Sequence, residues 1–346
     1  MSDRAIPYYR VPDTLAISKP SLDMLACVNE CKHLDKTFRK TVYHKAEFIL
    51  FESLNNIDQH LIALQFPQSA KWIFGICGSD RIASKSHLAY TIRQMMPAAI
   101  SSTIIPESFI IEHESDMKRF VNRFSPSNVY ILKKNIQQQK DILITNNLEI
   151  ILARCNDYVI IQKMLQNPLI IKNRKCNMRV YVLFVINNNN KLDVYYYNDG
   201  FMYYTVEPFK KNTLRKEETI TTGLAGRDMY KDRPLTHQDL YKYLNPPASK
   251  TLQNNLFNIV RYMKDTFESI LMEDNKHIPG IKFSVFGMDI APDENLGCSI
   301  MEVNKGPDLT PKDARDKELK CNMVTEMFSI VGILKENEKH NGFIHV

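Results

Sequence analysis

No stretch of this chain approaches the roughly 20 consecutive apolar residues that a membrane-crossing helix needs. The opening residues, with Asp3, Arg4 and Pro7, also lack the apolar core of a secretion signal. A soluble, cytoplasmic protein with no membrane partner is the expectation. The seven cysteines, at 27, 31, 77, 155, 176, 298 and 321, are odd in number and form neither the paired spacings of a zinc ribbon nor a disulfide framework. Reduced thiols are the simplest reading. There is no internal repeat and no long flexible linker. Nor is there a strong charge bias: the formal net charge of +6 is mild and its basic residues are dispersed. Such a balance suits an anionic partner without choosing one, and a plain solvated surface explains it equally well.

What is present is ordinary globular composition, 346 residues of which 44% are hydrophobic and 24% charged, enough for two or three packed units sharing a core. Leu22 to Leu34 looks helical and Phe48 to Phe51 is a hydrophobic run, and nothing in the first seventy residues names a reaction. From Lys71 the pattern predicts a buried strand, a turn at Gly78, Ser79 and Asp80, and a helix ending before Pro97. PESFII then leads into a helix around 115–124. NVYILKK and DILIT predict two strands joined by the polar stretch NIQQQK, a plausible lid over phosphates with Lys133 at its entrance. YVIIQKML predicts the next strand. MRVYVLFVI and LDVYYYN predict a hairpin across an Asn-rich turn, closed by Asp199-Gly200. Apolar spacing from Leu252 to Met272 predicts a long amphipathic helix packed on a sheet. FSVFGMDI and CSIMEVN predict strands flanking an acidic turn, with a helix from about Lys317 to Ile330 behind them.

If those last two strands are antiparallel neighbours, Asp289 lies near the end of the first, while Glu302 and Asn304 share one face of the second. Three hard oxygen ligands then converge. Their mutual repulsion is relieved by magnesium shared with nucleotide phosphates, although ordinary surface acids on an exposed turn give the same spacing. Lys133 closes an apolar strand and Lys163 sits within another, where an unpaired charge costs several kcal/mol. A phosphate for Lys133 and an adenine edge for Lys163 would supply partners; half-exposed strand lysines would need none. Arg179 has the fork geometry for a carboxylate or phosphate.

QKMLQNPLII, KCNMRVYVLF, YNDGFMYYTVEPF, FGMDI and MEVNKGPDL follow one another in the order and spacing of the tubulin tyrosine ligase-like family. The closing DKELKCNMVTEMFSIVGI and the upstream GSDRIASK extend the likeness over about Lys71 to Ile333. The chain thus resembles that family. The resemblance implies an α/β fold of the ATP-grasp type, with a nucleotide cleft between a central lobe (73–167) and a C-terminal lobe (168–346), preceded by a small N-terminal domain (1–72). It implies ATP and Mg2+ as cofactors. Lys85 and Lys133 would touch phosphate, Gln162, Lys163 and Leu165 would hold adenine, and Lys175 and Arg179 would face the phosphates and the reacting acyl group. Asp289, Glu302 and Asn304 would bind magnesium, with Asp289 also at the nucleotide and Glu302 counted with Lys175 and Arg179 as catalytic. The reaction implied joins a free amino acid to a protein carboxylate through an acyl phosphate, with a tubulin tail as the family-level acceptor. A monomer is expected, and nucleic acid is not an expected partner.

The sequence also departs from the family pattern. The usual glycine-rich loop is replaced by Asn135-Ile136-Gln137-Gln138-Gln139-Lys140, so amide side chains or Lys140 would take over phosphate contact. Asn177 stands for a usual aspartate and Asn198 for a usual arginine, while Ile220-Thr221-Thr222-Gly223 replaces a His-Leu-Thr-Asn stretch. The resemblance places these positions where amino acid and acceptor bind. A catalytically impaired descendant that binds nucleotide or tubulin is therefore the alternative to an active ligase.

Overall fold

The computed structural model describes residues 5–12, 20–31, 34, 37–135, 141–222, 227–334 and 342–346. The N-terminal part alternates β1 (Ile6–Val11), α1 (Pro20–Glu30), β2 (Phe38–Lys40), β3 (Phe48–Phe51), α2 (Ile57–Ala63) and β4 (Trp72–Phe74). After β4 the backbone turns at Gly78, whose φ of 95° suits glycine, and α3 (Ser79–Ala83) begins at once. Ser84 caps α4 (Lys85–Met95), which ends before Pro97; α5 (Ala98–Ile104) follows. β5 (Ser108–Ile110), α6 (Glu114–Arg123), β6 (Tyr130–Lys133), β7 (Leu143–Thr145), α7 (Leu148–Arg154) and β8 (Ile160–Lys163) come next. These four strands form a small antiparallel sheet in the order β5-β8-β6-β7. The stretch 136–140, assigned above to a phosphate lid, lies outside the described residues.

The rest of the chain supplies β9 (Ile170–Ile171), β10 (Arg174–Ile186), β11 (Leu192–Thr205), α8 (Lys216–Thr219), β12 (Thr221–Thr222), α9 (His237–Tyr243), α10 (Pro246–Asn275), β13 (Ile281–Pro292), β14 (Cys298–Asn304), α11 (Ala314–Ile330) and β15 (Phe343–His345). Among the described residues these strands join β1 to β4 in one eleven-stranded sheet with the main order β12-β11-β10-β13-β4-β3-β1-β2. β13 is shared: its first residues pair in parallel with β4 and its last six pair antiparallel with β14. The strands of the first seventy residues and those of the late hairpin therefore belong to the same sheet.

β10 is apolar on both faces because both are covered. Cys176, Met178, Val180, Val182 and Phe184 pack with Leu252, Leu256, Met263 and Phe267 of α10. Tyr181, Leu183 and Val185 turn the other way, toward Met323, Val324 and Met327 of α11 and toward β3. The expected amphipathic helix is thus α10, 30 residues long and started by the Asn245 cap with proline behind it.

Two sequence expectations need correction. Cys31 and Cys321 are joined in a disulfide, so the thiols are not all reduced. Spacing could not reveal it, because the two lie 290 residues apart and meet only when α1 packs on α11. Asp199-Gly200 does not close the β10–β11 hairpin either. β11 runs through it to Thr205, with the register shifting between Val180 and Val182. Glycine is required there by space: a β-carbon at 200 would sit 2.2 Å from the Arg179 carbonyl oxygen and 2.6 Å from Cε1 of His237. His237 is buried under this crossing and kept neutral, burial pushing its pKa down to about 3. Gly200→Ala is expected to cost about 1–3 kcal/mol by overpacking, seen in urea as a lower midpoint with an unchanged slope. An unaltered midpoint would show that the crossing has slack.

Candidate functional site

The period of two along β10 places Lys175, Asn177 and Arg179 on one face. All three line a cavity of about 750 Å³, while Cys176, Met178 and Val180 turn into the core. β13 and β14 bring their residues to the same place by register. Asp289 stands directly across from Glu302, and Gly287 from Asn304, with one extra residue accommodated next to Glu302. Asp289, Glu302 and Asn304 therefore all line the cavity. Gly287 leaves room for the neighbouring arginine, since a β-carbon there would lie 3.2 Å from Nη1 of Arg179. The small sheet contributes Lys133 from β6 and Gln162 and Lys163 from β8, and Lys85 comes from the first turn of α4. Nearly all residues singled out from the sequence thus meet in one space. The exception is Leu165, which is half-buried and outside the lining; Met164 is the apolar side chain that follows Lys163 along the wall.

Charge in the cavity is unbalanced. Among the described residues seven basic side chains line it against four acidic ones, so the space favours an anion. Arg179 and Asp289 form a two-point pair across β10 and β13, Nε to Oδ1 at 2.7 Å and Nη2 to Oδ2 at 3.2 Å. Burial opposes the Arg179 cation, but Asp289 more than offsets it, so the guanidinium stays protonated. The same guanidinium lies over the Tyr203 ring at 5.2 Å. Lys85 Nζ is 3.2 Å from Glu302 Oε1. Its backbone N–H donates to Asn135 Oδ1 at 3.0 Å, which ties the residues after β6 to the start of α4.

Two lysines lack such compensation. Lys175 is 4% exposed and makes no ion pair or hydrogen bond through its ammonium group among the described residues. Among the described residues Lys133 bonds only the Met301 carbonyl, at 3.5 Å, with Glu302 and Asp289 near enough to offset part of its burial. Burial pushes both down to about 8. Asn177, 8% exposed, has a side-chain carbonyl oxygen with no partner among the described residues. Polar groups left unmatched at a cavity wall keep hydrogen-bonding capacity that a ligand can use. Two carboxylates and an amide in register are a hard-oxygen donor set of the kind magnesium takes, and the unmatched ammonium groups suit phosphate; the residues present fit both.

A protein-family model described as the tubulin-tyrosine ligase family matches residues 73–340. The chain belongs to this family. Membership implies the ATP-grasp fold, and the tubulin-tyrosine ligase family uses ATP. The chain is 27% identical over 255 residues to a probable alpha-tubulin polyglutamylase of Tetrahymena thermophila, covering 66% of this chain and 60% of that protein. It is 26% identical to a probable tubulin polyglutamylase of Bos taurus, covering 61% and 44% respectively. To the tubulin glycylase 3B of Drosophila melanogaster it is 25% identical, covering 53% and 26%. The chain thus spans less than two thirds of each relative's length. No helix among the described residues is long and apolar enough to cross a membrane.

Some of the cavity was not foreseen. Tyr203, Asp23, Asp308 and Lys312 line it as well. Tyr203 could have been found by pairing Asn177 with its neighbour across the hairpin, and Asp308 and Lys312 by their spacing of four, which the structure closes as an ion pair at 3.0 Å. Asp23 carries no sequence signal. Of the positions that depart from the family pattern, Asn177 and Ile220 to Thr222 line the cavity, Gly223 lies outside the described residues, and Asn198 is elsewhere. The Asn198 backbone is bound to Gly342 and to the Gln238 side chain.

The two depressed lysines carry a pH signature. Below about pH 8 both are charged in the folded and unfolded chain alike, and their burial costs stability. As pH rises from about 8 toward the ordinary lysine value the folded chain gives up protons first, so this cost is relieved. A bound polyphosphate restores the charge and takes up protons. ATP affinity is expected to fall roughly tenfold or more between pH 7 and pH 9.5, with proton uptake seen by calorimetry in buffers of different ionisation enthalpy. Affinity that is flat over this range would contradict the assignment.

Proposed function

We propose that this chain is an ATP- and magnesium-dependent ligase that adds an amino acid to a carboxylate of a protein, acting in the cytoplasm. The observation that carries the reading is the shared cavity, lined by Lys133 and the buried Lys175 together with Asp289 across from Glu302. In this reading Lys133, Lys175 and Lys85 bind the phosphate chain, and Gln162, Lys163 and the Met164 wall hold the base. Gln162 is oriented by its bond to Ser108 Oγ at 2.9 Å. Asp289, Glu302 and Asn304 would hold magnesium, which would neutralise charge on the transferring phosphoryl group.

A carboxylate is a poor electrophile. Transfer of the terminal phosphoryl group of ATP to it gives an acyl phosphate and ADP; the amine of the incoming amino acid then attacks the acyl carbon, phosphate departs, and the nitrogen loses a proton. In this reading Arg179, fixed by Asp289 and Tyr203, orients the acyl oxygen, and Lys175, beyond Asn177 on the same face of β10, stabilises negative charge as phosphate transfers and leaves. The relatives' names make tubulin the first acceptor to test and glutamate and glycine the first amino acids.

A second reading, nucleotide binding without turnover, draws on Asn177. Its amide supplies a buried oxygen without a charge at the wall next to Arg179.

The test is to incubate the chain with ATP, magnesium, isotopically labelled amino acids and tubulin, and to read ADP release together with acceptor mass. Addition of one or more amino-acid masses is expected, and Glu302→Gln should lower the rate by about a hundredfold or more. ATP bound in stoichiometric amount with no mass added across a panel of protein acceptors would favour the second reading.

A further inference from the structure

Cys27, Cys31 and Cys321 form a buried sulfur cluster away from the site above. Cys31, just past the end of α1, is bridged to Cys321 on α11, and Cys27 lies one helical turn earlier on α1. All three sulfurs lie within 4.8 Å of one another. Cys27 is free and fully buried, and burial pushes its thiol up to about 12.

One bridged helix, α1, lines one end of the cavity, and α11 supports the segment that completes it. Asp23, one turn before Cys27, lines it and accepts a hydrogen bond from Thr310 Oγ1 at 3.1 Å. The Thr310 carbonyl is held at 2.9 Å by Lys320, the residue before Cys321. Asp308 and Lys312, on either side of Thr310, line the cavity too. Lys317 and Glu30 also join the two helices, in an exposed ion pair at 2.6 Å.

We propose that the Cys31–Cys321 bridge is a redox latch that fastens α1 to α11 and so sets how firmly the Asp23–Thr310 end of the cavity is held, with Cys27 as the thiol to which the bridge can move. A dithiol reductant opens it: the S–S bond breaks, two electrons and two protons pass to Cys31 and Cys321, and the dithiol closes into its own disulfide. Within the chain, the Cys27 thiolate can attack Cys321 Sγ, forming a Cys27–Cys321 bond and releasing Cys31 as thiolate, with no external electron donor. Burial keeps that thiolate scarce, so exchange is slow until the helices part. The latch concerns one wall of the cavity and does not depend on which ligand the cavity takes.

The experiment compares the full chain oxidised and after dithiothreitol. Alkylation under denaturing conditions should label five cysteines in the first state and seven in the second. Amide hydrogen exchange over 20–31 and 305–313 should quicken at least severalfold on reduction, while β5, β6 and β8 stay unchanged. Oxidised Cys31→Ser should yield a linked Cys27–Cys321 peptide, and the Cys27→Ser/Cys31→Ser double variant should exchange at the reduced rate with or without reductant. Since none of these readouts is an activity, their failure is separable from failure of the ligase reading. Seven labelled thiols under oxidising conditions, a stoichiometric zinc ion on the three thiols, equal exchange over 20–31 in the two states, or no linked peptide from Cys31→Ser would each overturn the proposal.

Discussion

The pair between Arg179 and Asp289 organises this molecule. Both are half-buried, and they sit directly opposite in the register of β10 and β13. Breaking such a pair leaves a charge with little compensation, at a loss below the roughly 3–5 kcal/mol of a fully buried pair. That cost holds two long strands in one register, and the register decides everything nearby. It puts Lys175 and Asn177 on the cavity side of β10 and keeps Met178 and Val180 in the core. Through β13 it fixes where Glu302 and Asn304 arrive on β14. A slip of one residue would turn the carboxylates into the core and apolar side chains into the cavity.

Around this pair the protein keeps charge that it does not satisfy itself. Lys175 and Lys133 are depressed by burial, and Asn177 holds an oxygen without a partner among the described residues. A chain under selection for stability alone would bury apolar groups at these positions. These groups line the same space as the acidic pair, an arrangement that suits an anion bound together with a cation. ATP with magnesium has that combination of charges, and the family to which the chain belongs uses ATP.

Much of this was legible in the sequence, for local reasons. The β13–β14 turn is short, so sequence alternation puts Glu302 and Asn304 on one face of a strand near Asp289, though the exact pairing of Asp289 with Glu302 needs the extra residue between Ile300 and Glu302. Lys133 and Lys163 stood out as charges in apolar strands, and α10 by its apolar period. What could not be read is non-local. β1 pairs in parallel with β3 and β2, and parallel pairing leaves no turn signal to find. The extra residue near Glu302 and the passage of β11 through Gly200 depend on what packs above them, His237 in the second case. Asp23 reaches the cavity only because α1 docks on α11, and the Cys31–Cys321 bridge follows from the same docking. Leu165 was displaced from the wall by Met164, a choice made by the strand's end and not by its composition.

The most direct measurement is anomalous diffraction from crystals grown with a non-hydrolysable ATP analogue and manganese in place of magnesium. The account predicts a manganese peak at about 2.0–2.3 Å from oxygens of Asp289, Glu302 and Asn304, with the analogue's phosphates against Lys133 and Lys175. A metal peak or an analogue bound elsewhere on the chain, with Arg179, Asp289, Lys85 and Glu302 still paired as described, would contradict it.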